Sequence, residues 1–126
     1  MATPTRVRAV VGAFRDAHPG IPLNLHFHNT RGIGLANVLA ALEIGVTDFD
    51  ASVGGLGGCP YAPGATGNIA TEELVHMAED MGIDTGISLE ALIEAAAEAE
   101  RAVGHTLPSQ ILRAGPRSRT IPAFAL

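Results

Sequence analysis

A chain of 126 residues with 47% hydrophobic content and 15 glycines is one domain by length, and its composition speaks against general disorder. The formal charge of −5 argues against a nucleic-acid partner; all eight basic residues are arginine, so no lysine is available for a Schiff base, and the imine route to carbon–carbon cleavage is excluded. One cysteine excludes an internal disulfide and suits a reducing compartment; residues 1–6 lack an apolar leader and no apolar run is of bilayer length, so the expectation is a cytoplasmic protein without a membrane partner.

Thr3-Pro4 opens the first predicted helix, with Thr3 as cap and Pro4 at the first helical position, where its missing N–H does no harm. Val7, Val10, Val11 and Phe14 recur at helical spacing, and His18-Pro19-Gly20 ends the helix as a turn. Leu23, Leu25 and Phe27 then alternate with Asn24, His26 and His28, which is a short strand with one apolar face and two imidazoles on the other. A second helix over 34–43 carries Leu35, Val38, Leu39 and Leu42, and Gly45 is placed to terminate it. In the second strand, 46–53, Asp48, Asp50 and Ser52 share one face and Thr47, Phe49 and Ala51 the other. Strand, helix and strand with short connections make a βαβ unit and hence a parallel pair.

A glycine-rich loop over 54–67 and a very short third strand around Asn68-Ile69 follow. Thr71 is expected to cap a third helix, with Glu72 and Glu73 in its first turn, where acidic side chains suit the helix dipole. Leu74, Val75, Ala78 and Met81 form its buried side. Ser88 caps a fourth helix to Val103, with Leu89, Leu92, Ile93 and Ala96 inward and Gly104 as stop, while His76 and His105 read as surface residues. Residues 107–126, with three prolines, three arginines and no periodicity, read as a loosely ordered tail. Two or three parallel strands cannot cover both their faces, so the sheet is expected to continue in another chain or to be part of a larger barrel.

Two features carry chemistry. His26 and His28 at the end of a strand can share one divalent ion; the plainer alternative is a half-buried strand whose histidines bond to water or backbone. Residues 52–68 hold six glycines around Cys59, the only thiol. A mobile, ligand-closing loop explains both, and a flexible linker with an inert cysteine is the competing reading.

Taken jointly, the segments His26-Phe27-His28-Asn29-Thr30, Gly-Leu-Ala-Asn at 34–37, Gly-Gly-Leu-Gly-Gly-Cys-Pro-Tyr-Ala at 54–62, Gly-Ala-Thr-Gly-Asn at 64–68 and Ala-Thr-Glu-Glu-Leu at 70–74 resemble 3-hydroxy-3-methylglutaryl-coenzyme A lyase, a metal-dependent TIM-barrel lyase. The resemblance runs from about Thr3 to the end of the fourth helix. It implies an α/β fold, the C-terminal portion of a (β/α)8 barrel at about strands six to eight, with 1–106 as a partial lyase domain and 107–126 as tail. It implies that His26, His28 and Asn68 bind a divalent ion, magnesium or manganese, with zinc the runner-up from ligand type. Cys59 and His26 are implied as the groups that move protons.

The implied reaction cleaves 3-hydroxy-3-methylglutaryl-coenzyme A to acetyl-coenzyme A and acetoacetate, so an acyl-coenzyme A is the expected small-molecule partner. The departure from the family is length: the barrel needs roughly 250 residues. Missing are a first strand with its arginine and metal-binding aspartate and a glutamate from the second, and Met1 resembles an internal methionine after strand five. Self-association or a complementary chain would then be needed. A related metal-dependent aldolase or acyl-coenzyme A condensing enzyme, and a non-catalytic half-barrel remnant, are the competing readings.

Overall fold

The computed structural model describes residues 1–58, 64 and 67–117. Helix α1 (Pro4–Ala17) begins as its sequence dictates: the Thr3 hydroxyl accepts from the Arg6 N–H at 3.3 Å, and Pro4 occupies the first turn. Strands β1 (Asn24–His26) and β2 (Asp48–Asp50) pair in parallel, Asn24 opposite Asp48, Leu25 opposite Phe49 and His26 opposite Asp50. Helix α2 (Gly34–Leu42) joins them. A 3-10 turn (Val53–Gly55), α3 (Thr71–Asp80), α4 (Leu89–Val103) and α5 (Gln110–Ala114) complete the described elements.

Strand alternation divides the sheet into two faces with different fates. Leu25, Phe27, Phe49 and Ala51 join Val7 and Val11 of α1, Val38 of α2, Val46 and Ile69 in one apolar cluster. Full burial of side chains such as Ile69 and Val46 contributes about 1.5–3 kcal/mol each. Arg15 ties α1 to the end of α2, its guanidinium donating to the Ile44 and Gly45 carbonyls. On the opposite face Asn24, His26, Asp48 and Asp50 are exposed. The architecture is α/β with a two-stranded parallel sheet that does not close on itself. No helix among the described residues is long and apolar enough to cross a membrane.

Several expectations need correction. The third strand is not a regular strand: His28 bridges Asn68 in antiparallel sense and Ser52 bridges Ala70 in parallel. The segment is nevertheless stitched on both sides, with Ile69 N–H donating to the Phe27 carbonyl and Ser52 N–H to the Ile69 carbonyl. Thr71 is not the cap of α3. Ala70 takes that position, and the Thr71 N–H donates to Ser52 instead, because the bridge to β2 fixes the entry of the helix. Met81 and Val10 are exposed although both lie on predicted apolar stripes, and on α2 Ala40 and Ala41 are buried while Leu39 is not.

The largest correction concerns 107–117, read as part of a loosely ordered tail. Leu107 and Ser109 are both 1% exposed, and α5 follows with Ser109 as its cap. The Leu107 N–H donates to Glu100 at 2.7 Å, which holds that carboxyl below its ordinary range. Glu73 accepts from the Gln110 and Ile111 N–H groups. The sequence shows no periodicity here because the segment is secured by individual contacts to distant residues, not by a repeating apolar face. Residues 118–126 lie outside the described residues.

Candidate active site

The polar face of β1 ends in His26, with His28 two residues on, and the two imidazoles stand edge to face with ring centroids 5.1 Å apart. Both are exposed, and Asp50 stands opposite His26 in the sheet register, its carboxylate accepting from Asn24 at 2.9 Å. The turn after His28 is held by Asn29, whose side-chain oxygen accepts from the Gly34 N–H at 3.0 Å and supplies a cap to α2. A backbone bridge pairs Asn68, the third expected ligand, with His28, although Asn68 and the two imidazoles line different clefts. Asn68 Nδ2 donates to the Leu56 carbonyl at 2.9 Å, so Oδ1 is the atom left to meet a cation. Cys59 lies outside the described residues.

Two imidazole nitrogens and an amide oxygen are chemically suited to a borderline divalent ion such as manganese, and they fit such an ion as a partial coordination set. Among the described residues, no group of three or more His, Cys, Asp or Glu converges as a metal site, so this set lacks an acidic member of that kind. Beside the imidazoles is a cleft of about 260 Å³ bordered by His28, Arg31 and Asn37. Asn37 is 2% exposed and its Oδ1 has no hydrogen-bond partner among the described residues. Asn68 itself lines a second cleft of about 300 Å³, with Thr30, Gly67, Glu73 and Pro108.

The base of the glycine-rich segment is built with backbone that only glycine supplies at two points. Gly54 has φ of +64°, and a Cβ there would sit 2.3 Å from Leu107 Cδ1. A Cβ on Gly67 would sit 2.1 Å from the Gly55 carbonyl oxygen, so the two ends of the segment touch through bare backbone. Glu72 completes this base. It is fully buried, and its carboxylate accepts the Gly54 N–H at 2.8 and 3.1 Å.

Sequence reasoning placed Glu72 in the helix dipole and missed this role, because its partner lies eighteen residues earlier in the chain. Burial pushes the Glu72 carboxyl above its ordinary range, with hydrogen bonds from its own N–H, from Gly54 and from Ser109 opposing the rise. A carboxyl raised on folding stabilises the fold most below the ordinary carboxylate range, and that contribution is lost as pH rises toward the folded value. The stability difference between wild type and Glu72→Gln, from urea unfolding at pH 4 to 8, is therefore expected to shift against wild type as pH rises. A difference that moves toward wild type with rising pH would contradict it.

Residues 1–98 match the family model described as HMGL-like. The chain belongs to the HMGL-like family. It is 50% identical over 112 residues to the hydroxymethylglutaryl-CoA lyase of Bacillus subtilis, covering 89% of this chain and 38% of that protein. It is 47% identical over 116 residues to an (R)-citramalyl-CoA lyase of Chloroflexus aurantiacus, covering 92% of this chain and 37% of the relative. A solved HMG-CoA lyase from Acinetobacter baumannii, in complex with coenzyme A and 3-methylmalate, superimposes with a TM-score of 0.90 at 51% identity, over 97% of this chain and 40% of that one. This HMGL-like chain thus spans well under half the length of the relatives it matches. The relatives are enzymes, and the open two-stranded sheet is the portion of the family's α/β architecture described here.

Proposed function

We propose that this chain is the C-terminal portion, at about strands six to eight, of a divalent-metal-dependent carbon–carbon lyase acting on 3-hydroxy-3-methylglutaryl-CoA. The observation that supports this reading is the backbone bridge between His28 and Asn68, next to the paired imidazoles of His26 and His28 at the end of the strand. His26, His28 and Asn68 would hold the ion, magnesium or manganese. When bound, the ion would supply Lewis acidity that lowers the pKa of the substrate's tertiary hydroxyl. The orphaned Asn37 acceptor and the exposed polar face support completion by further strands, from a second copy or a complementary chain.

The bonds balance as follows. A base removes the proton from the C3 hydroxyl of the substrate, the C2–C3 bond breaks, and C3 becomes the ketone carbon of acetoacetate. The electron pair of that bond stays on C2 as the enolate of acetyl-CoA. The Cys59 thiol, or the ring N–H on the His26 nitrogen turned away from the ion, delivers a proton to C2, and acetyl-CoA leaves. The similarity to a citramalyl-CoA lyase supports a second reading in which a related acyl-CoA is the substrate of the same site.

Manganese binding to the purified chain, read by electron paramagnetic resonance, tests the metal set independently of turnover. Acetoacetate release from 3-hydroxy-3-methylglutaryl-CoA, with citramalyl-CoA cleavage measured in parallel, tests the substrate. Manganese binding that His26→Ala and Asn68→Ala leave unchanged would remove the metal assignment. Cleavage of citramalyl-CoA alone would replace the substrate.

A further inference from the structure

We propose that Arg31 binds the free carboxylate of the substrate, and so selects hydroxyacyl thioesters whose departing half is a keto acid. This inference rests on the lyase reading above and adds the group that chooses the substrate. Among the described residues every other arginine is engaged. Arg8, Arg101, Arg113 and Arg117 pair with carboxylates, while Arg6 and Arg15 donate to backbone carbonyls. Arg31 is exposed and makes no hydrogen bond or ion pair with any described residue.

Position makes it more than a solvated surface charge. Arg31 borders the same cleft of about 260 Å³ as His26 and His28. Pockets that enclose a whole drug-sized ligand run to roughly 300–1,000 Å³, so this one suits the small acyl head of the substrate and not its nucleotide. The backbone around Arg31 is fixed. Thr30 and Arg31 are the middle of a turn closed by the Gly32 N–H, which donates to the Asn29 carbonyl at 2.8 Å. Asn29 is held in turn, its N–H donating to the Gly67 carbonyl at 3.2 Å and its side chain accepting from Gly34. Binding therefore has only the Arg31 side chain left to order, which keeps its entropic cost small.

The chemistry favours a carboxylate. Both substrates considered above carry one on the fragment that leaves as the ketone, acetoacetate in one case and pyruvate in the other. A guanidinium presents a planar fork that meets a carboxylate in two parallel N–H···O bonds, and it stays charged at every working pH. The phosphates of coenzyme A lie a pantetheine arm away from the reacting carbon, whereas the carboxylate lies within two bonds of it. A cation bordering the cleft of the imidazoles that would hold the ion is thus matched to the nearer anion.

Calorimetric binding to the purified chain, without added metal so that nothing turns over, tests this with a matched pair of esters. The first is 3-hydroxy-3-methylglutaryl-CoA; the second, 3-hydroxy-3-methylbutyryl-CoA, has methyl in place of the carboxymethyl group. Wild type is expected to bind the first about 10- to 100-fold more tightly, the range of a hydrogen bond to a charged group. Arg31→Ala and Arg31→Gln abolish that preference by weakening the glutaryl ester alone, and leave manganese affinity at the wild-type value. Arg101→Ala, which removes the same charge elsewhere, keeps the preference. The proposal is overturned if wild type binds neither ester or shows no preference, or if both Arg31 variants retain it. Equal weakening of both esters overturns it too and directs Arg31 to the phosphates, and loss of manganese binding would make it a support of the turn. If the preference depends on Arg31 but neither substrate is cleaved, the carboxylate site stands and the lyase reading falls.

Discussion

Replacing His28 by alanine is expected to weaken manganese binding by roughly 100-fold or more, since a lost ligand should cost at least what losing an outer-shell partner costs. The reason is geometric. His28 contributes its imidazole, 5.1 Å from that of His26, and its backbone is bridged to Asn68. The substitution removes a donor while its backbone bridge keeps Asn68 where it is, so the remaining pair of His26 and Asn68 is too sparse to retain the ion. Any turnover falls with the metal. Titration of the variant with manganese, alongside His76→Ala as a histidine outside the set, measures this. Unchanged affinity in His28→Ala would show that the imidazoles are ordinary exposed strand residues.

Cys59→Ser separates proton transfer from metal binding. A thiol has an ordinary pKa near 8.5 and can exchange a proton near neutral pH, whereas a serine hydroxyl cannot. If Cys59 protonates the enolate carbon, turnover in whichever assembly is active should fall by about 10²- to 10⁴-fold, the span typical of a positioned acid. Manganese affinity should stay at the wild-type value. Acetoacetate release and manganese titration on the same preparation check both halves. Equal loss of metal and turnover would place Cys59 among the ligands; unchanged turnover would leave His26 as the proton donor.

These outcomes would describe a site built from three sources. The end of β1 would supply two imidazoles through strand alternation, the segment after the glycines would supply an amide, and Glu72 of α3 holds the Gly54 turn before it. Glu72 has a different character from the rest. Burying a carboxyl costs desolvation even where backbone N–H groups bond it, and its placement under Gly54 sets that cost at the turn from which the segment departs.

What residues could state by themselves was what depends on near neighbours. Thr3 and Ser88 were recognisable as caps and Gly104 as a left-handed stop, because a cap's partner lies three residues away and a stop needs only its own φ. The two-residue alternation from Leu23 to His28 likewise specified which side of the strand would be apolar, and with it the imidazole pair. Tertiary structure decided the rest. Thr71 lost its capping role because the Ser52–Ala70 bridge holds Ala70 extended and the helix begins at Thr71, Glu72 became the anchor of a turn eighteen residues earlier, and Leu107 and Ser109 became buried, Leu107 against Gly54. Those assignments depend on which distant backbone groups arrive without partners, and no local periodicity records that.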